Sequence, residues 1–380
     1  MDTTLVAGQP SWKISSDRVE VWLTEAGGHL GPISFDLDGR TIQPYNLAPW
    51  AEEPFDPELP PILRVLRGDF FCMPFGGNST PFRGEHHSAH GDTANSRWSL
   101  EDVHEEAGRT TLHASLATRT RSGRVDKYVT LREGEPVVYQ QHLVSRMSGA
   151  MSFGHHAMLR FPDREGSGLV STSPFVIGRT APEPVELPRN QGYSILRPNT
   201  SFDSLDRVET VTGETADLSR YPARRGFEDL VMLVNDPGRR LAWTAVSFPD
   251  DGYVWFALKD ASVLRQTIFW ISNMGRYYPP WNGRHLNVMG LEEVTSYFHY
   301  GLAESAVENP ISLAGHPTSV QLREVEELDV RYVMGIAAVH PGFGRVEDIA
   351  PGAGVVSIRG SSDASIEVPM DVAFLNLGQI

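Results

Sequence analysis

A net charge of −15 on 380 residues, with basic residues few and scattered, excludes partners held by clustered Lys and Arg, nucleic acid above all, and favours a neutral small molecule. With 35 Gly, 27 Pro, many Val, Thr and aromatic residues and almost no helical periodicity, the composition specifies an all-β chain long enough to bury a substantial core. Cys72 is single and cannot make an internal disulfide, no apolar run approaches the ~20 residues that span a bilayer, and the N-terminus lacks a signal-peptide pattern, so the expectation is a cytoplasmic protein without membrane contact.

Residues 12–50 read as an opening β-meander with Asp38-Gly39 as a hairpin turn, and Gly27-Gly28 reads as a turn or bulge, since no strand-loop-helix context makes it a phosphate loop. The acidic, Pro-rich stretch 51–62 reads as a surface loop. The next stretch, LRVLRGDFFCMPFGGN at 63–78, reads as an apolar strand carrying Arg67, whose guanidinium needs an anion or carbonyl groups to receive it. Segment 81–98, PFRGEHHSAHGDTANSRW, is the densest cluster of polar side chains. Its His86, His87 and His90 are metal-ligand material by type, but HHxxH lacks the register of a helical zinc motif, and a loop offering imidazole to a ligand is the better reading. Trp98 either fills the core or stacks on a sugar face.

From 99 to 163 strands alternate with turns every ~10–12 residues, the pattern of an antiparallel sandwich. In FGHHAMLRF, adjacent His155 and His156 point to opposite faces. Residues 164–225 are rich in loops of the kind that border a site. The stretch 226–248 reads as a hairpin turning at Asp236-Pro237-Gly238, with Glu228 and Asp229 at its entrance. Strands at 252–259 and 264–273 follow, the latter carrying Trp270. The loop MGRYYPPWNGRH with Trp281 sets aromatic rings beside Asn and Arg, as a sugar surface requires. Next comes LNVMGLEEVTSYFHYGL, 286–302, in which Glu292 and Glu293 interrupt an apolar strand; a carboxylate there is paired, exposed or present for chemistry. A strand pair and a Gly-rich tail of short strands complete the chain. There is no repeat or linker, so 1–380 counts as one domain, with 331–380 a C-terminal extension packed on it.

Four motifs in order resemble the galactose mutarotase-like (aldose 1-epimerase) superfamily, nearest its hexose-6-phosphate epimerase branch. LRGDFFCMPFGG is similar to that branch's IRGGIP-C-P-FG strand, HGDTANSRW (90–98) to HGFARNxxW, FGHHAMLRF (153–161) to the strand with the second histidine, and MGLEEVT (289–295) to the segment with the carboxylate base; GFEDLVML (226–233) is a weaker match to GYDH-F-L. The resemblance covers roughly 20–330. It implies a large antiparallel β-sandwich (a supersandwich) and an isomerase that interconverts sugar anomers. Glu292 would be the base at the anomeric hydroxyl, His156 the acid at the ring oxygen, and His90 a stabiliser of developing charge. Glu228, Arg67, Asn78, His155, Trp98, Trp270 and Trp281 would contact the substrate. Opening a hemiacetal needs only a base at O1 and an acid near O5, hence no cofactor and no metal. The partner is a small carbohydrate, and the protein a monomer or homodimer. Ala94 stands where the branch has Arg, and Glu228 where the family has Asp. A carbohydrate-binding or sensing protein, or another carbohydrate-active enzyme on the same scaffold, is the alternative; a metal-dependent isomerase or oxygenase built on His86, His87 and His90 is a third.

Overall fold

The computed structural model describes residues 1–54 and 56–378; Phe55 of the acidic loop and the last two residues of the C-terminal extension lie outside the described residues. The chain is all-β, its few helices being no longer than five residues. It divides into two compact units, both discontinuous in sequence: 1–157, 262–265 and 293–333 form the first, and 158–261, 266–292 and 334–380 the second. The chain passes between units within three strands, after Ala157 in Phe153–Arg160, after Glu292 in Val288–Thr295 and after Val333 in Leu328–Ala338.

The first unit opens with a five-stranded antiparallel meander from Thr4–Val6 to Arg40–Ile42. Its last turn is the expected one: Leu37 pairs with Arg40, and Asp38 and Gly39 both adopt positive φ, as a two-residue hairpin demands. A second meander runs through Ser99–Glu106, Arg109–Thr118, Gly123–Arg132 and Val137–Ser145. Gly123–Arg132 alternates buried and half-buried residues, which is why its sequence read so plainly as strand.

The apolar stretch at 63–78 departs from the expected strand. Pro61–Val65 is a short helix, and only Phe71–Cys72 is strand, paired with His155 and Gly154. Between them Gly68 at φ +56° bridges a sharp bend; a Cβ there would lie 1.5 Å from the Leu30 carbonyl oxygen.

The second unit carries two antiparallel ladders. One joins Arg220–Tyr221, Gly168–Thr172, Leu241–Phe248 and Tyr253–Asp260; the other joins Ser201–Phe202, Phe175–Thr180, Phe227–Asn235 and Gln266–Asn273. The expected hairpin at 226–248 is therefore corrected. Asp236 does turn the chain, its carboxylate accepting from the Gly238 amide, but Phe227–Asn235 and Leu241–Phe248 go to different sheets. Both strands are almost wholly buried, so neither shows the alternation that marks a half-exposed hairpin. A three-stranded sheet, Val346–Pro351, Val355–Gly360 and Ser365–Pro369, packs on Gly168–Thr172 and Leu241–Phe248. Among the described residues no helix is long and apolar enough to cross a membrane.

Candidate functional site

In the first unit, strand Phe153–Arg160 sends its adjacent histidines to different environments. His155 is fully buried; its Nδ1 lies 2.9 Å from Asp69 Oδ2, and its ring stacks on Tyr332. Asp69 also accepts from Gln140 Nε2 at 2.7 Å. Burial raises the Asp69 carboxyl, but His155, Lys127 and Gln140 more than offset this and hold it below the usual range. His155, expected against substrate, is instead packed in the core on Asp69 and Tyr332.

His156 takes the other face. Its ring stacks on Phe70 at 4.6 Å, and His29 stacks on the far side of Phe70 at 4.0 Å. His90 meets His156 edge-on, with ring centroids 4.9 Å apart, and is boxed further by Phe70 and Phe75. His90 sits at φ +58° in the 81–98 loop, its amide donating to the Gly76 carbonyl at 2.7 Å. Desolvation, with the nearby His299, pushes its imidazole down to about 3, so the ring is neutral at physiological pH. The Gly76 amide approaches Nδ1 at 3.5 Å, which leaves Nε2 as the N–H donor. Two of the expected histidines thus do converge.

Three other expected contact residues are engaged by the protein's own backbone. Arg67 is fully buried and spends its guanidinium on the Val65, Val6 and Ala7 carbonyls at 3.1, 2.9 and 2.7 Å. Asn78 donates to the Pro74, Gly76 and Ser88 carbonyls and accepts from the Leu302 amide, clamping the loop. Trp98 is core, its indole N–H on the Thr93 carbonyl at 2.9 Å. All three are corrected from substrate contacts to scaffold. In each case the polar atoms satisfy backbone groups that would otherwise be buried without partners. Within the 81–98 loop, Glu85 holds His87 at 2.9 Å and Arg121 Nε at the same distance; among the described residues no three His, Cys, Asp or Glu are placed to hold a metal ion.

The second unit assembles the carboxylates. Glu292 is 2% exposed, and burial drives its carboxyl well above the ordinary value, Arg276 pulling the other way. Two residues earlier on the same strand face is Gly290. A Cβ there would lie 2.6 Å from Glu292 Oε1 and 3.1 Å from Trp270 Cβ, so only glycine lets the carboxyl lie back beside Trp270. The Trp270 indole N–H donates to Glu228 Oε1 at 2.8 Å. Glu228 is held up to about 7 by burial, against the pull of Arg276.

Arg276 is the hub of this cluster. Its Nε donates to Glu186 Oε1 at 2.7 Å and lies 3.7 Å from Glu228 Oε1, and its guanidinium covers Trp281 at 4.6 Å and Trp270 at 5.4 Å. Tyr278 Oη also donates to Glu186 Oε1, at 2.9 Å. His285 stacks on Trp270, and burial and Arg276 push it to about 3. Glu228, Glu292, Trp270 and Trp281, all expected at the site, are thus brought together, the last two as nearly buried packing. Sequence reading missed Arg276, Glu186, Tyr278 and His285. The aromatic loop 274–285 pointed to two or three of them, but Glu186 comes from a Pro-rich loop 90 residues away with no motif.

No family model and no curated protein matches the sequence. Solved structures do. A galactose mutarotase related enzyme from Lactobacillus acidophilus superposes with a TM-score of 0.54 at 12% identity, covering 87% of this chain and 98% of its own. A Klebsiella pneumoniae protein provisionally named an aldose 1-epimerase gives 0.60 at 14%, covering 88% and 80%. A galactose mutarotase-like protein from Clostridium acetobutylicum gives 0.55 at 10%, covering 89% and 99%. The chain therefore has the galactose mutarotase-like fold, an antiparallel β-sandwich. At these identities the likeness is one of architecture.

Proposed function

We propose that the protein is a cofactor-free aldose 1-epimerase. The observation that carries this reading is Glu292: a carboxyl buried on the strand whose sequence resembles the family's base segment, its ionisation disfavoured so that the ionised form is a stronger base than an exposed glutamate. In the reaction Glu292 takes the proton of the anomeric hydroxyl, the C1–O5 bond breaks as the C1 carbonyl forms, and a general acid delivers a proton to O5. Rotation about C1–C2 and reclosure give the other anomer, with the proton transfers reversed. Glu228 orients a sugar hydroxyl. Neighbours of this fold carry epimerase and mutarotase names, which supports the assignment at the level of reaction class.

The test is anomer interconversion of freshly dissolved aldoses, followed by polarimetry or exchange NMR. Relaxation faster than the buffer blank, proportional to protein concentration, is the expected result. A sugar that raises the melting temperature while no aldose relaxes faster than the blank would replace the enzyme with a binding protein.

A further inference from the structure

Tyr193 and Tyr277 are 41% and 43% exposed in the second unit, their ring centroids 5.9 Å apart and nearly perpendicular at 80°. Neither ring takes part in the carboxylate cluster described above, yet both are tied to it through the main chain. The Tyr193 carbonyl accepts from the Glu228 amide at 2.7 Å, the Tyr193 amide donates to the Gly275 carbonyl, and the Tyr277 amide donates to the Gln191 carbonyl, each at 2.9 Å. Gly192 bridges Arg276 between them. Tyr277 leans on Gly283, where a Cβ would stand 3.0 Å from its ring. The aromatic side chains thus grade outward, from Trp270 and Trp281 at 6% and 5%, through half-buried Tyr278, to the open Tyr pair.

The geometry points to this pair as a second sugar subsite, so that the ligand is a neutral reducing disaccharide or longer glycan rather than a lone monosaccharide. The inference rests on the carbohydrate reading of the cluster. Two rings set at a right angle form a corner against which the C–H face of a pyranose packs, with the phenol hydroxyls free to meet its edge. The pair is joined to the Glu228 strand at the Tyr193 carbonyl, which sets it beside that cluster along the chain. Arg276, between the two Tyr segments, already has its charge engaged by Glu186 and Glu228.

The experiment is titration of wild type with galactose, glucose, lactose and maltose, read by saturation-transfer NMR or calorimetry, and repeated on the double variant Tyr193→Ala/Tyr277→Ala. A disaccharide is expected to bind about 3- to 10-fold tighter than its monosaccharide, the double variant to erase that ratio without altering monosaccharide affinity, and the Tyr→Phe pair to restore most of it. Equal affinities for wild type, or a preference that survives in the double variant, overturns the subsite. Binding is read without turnover, so the two conclusions fail separately. Tyr-dependent disaccharide binding without anomer exchange removes the epimerase and keeps the subsite; catalysed exchange without disaccharide preference does the reverse.

Discussion

The polar clusters of the two units answer burial in opposite ways. In the first unit desolvation acts on bases: His29 and His90 are each pushed down to about 3 and sit as neutral imidazoles. In the second it acts on acids: Glu228 is raised to about 7, Asp229 to about 6 and Glu292 well above its ordinary value, so that carboxyls keep protons that exposed ones would release. One physical cause thus has opposite results, because desolvation disfavours whichever form of a group is charged: the imidazoles of the first unit lose their protons and the carboxyls of the second keep theirs. Asp69 shows the contrast within the first unit. It is as buried as Glu292, yet His155, Lys127 and Gln140 keep it ionised, so it serves as scaffold.

The strongest way to break this comparison is to remove the group assigned to chemistry. Glu292→Gln is expected to lower kcat by about 10²- to 10⁴-fold. The profile of kcat/KM against pH sharpens the point. Because the Glu292 carboxyl is raised, the acid limb should fall above the ordinary glutamate range, with activity rising as the base ionises; a limb near 4.5 would reject Glu292 as the base.

Arg67→Met comes next. It strips donors from three buried carbonyls and should cost about 3 kcal/mol in denaturant unfolding while leaving KM per folded molecule unchanged; a raised KM would return Arg67 to the substrate.

The smallest effects are on stability against pH, and they run in opposite directions. Glu228 has a folded value raised above 4.5, so its contribution is complete below that pH and is lost as pH rises through about 7; Glu228→Gln should flatten that decline. His29 has a folded value depressed below 6.5. Its contribution is present above that pH and is lost as pH falls toward 3, so His29→Asn should flatten the acid limb of the melting-temperature profile. If both variants altered the same limb, the contrast between the units would fail.

How much of this was legible beforehand varied with exposure. Strand Gly123–Arg132 could be read plainly because one face stays wetter and the side chains alternate. Strands Tyr253–Asp260, Gln266–Asn273 and Val288–Thr295 are buried along their whole length, so their extent could be read but not their partners. The hairpin expected at 226–248 failed for that reason, since two buried strands either side of a good turn carry no signal saying whether they pair. Motif order pointed to His90, His156, Glu228 and Glu292; the structure sets His90 against His156, and Glu228 and Glu292 against Trp270. Arg67, Asn78, Trp98 and His155 carried the same kind of signal and proved to be scaffold.

By itself the sequence determined an all-β sandwich, the strand periods, and a short set of imidazoles and carboxyls suited to hemiacetal chemistry, because these follow from side-chain type and local spacing. Only the tertiary structure decided which member of each adjacent pair turns where, which buried polar groups are spent on backbone carbonyls, and that Glu186, from a loop 90 residues distant, joins Arg276. Those outcomes depend on burial and on partners remote in the chain, and desolvation is a property of the surroundings rather than of the residue.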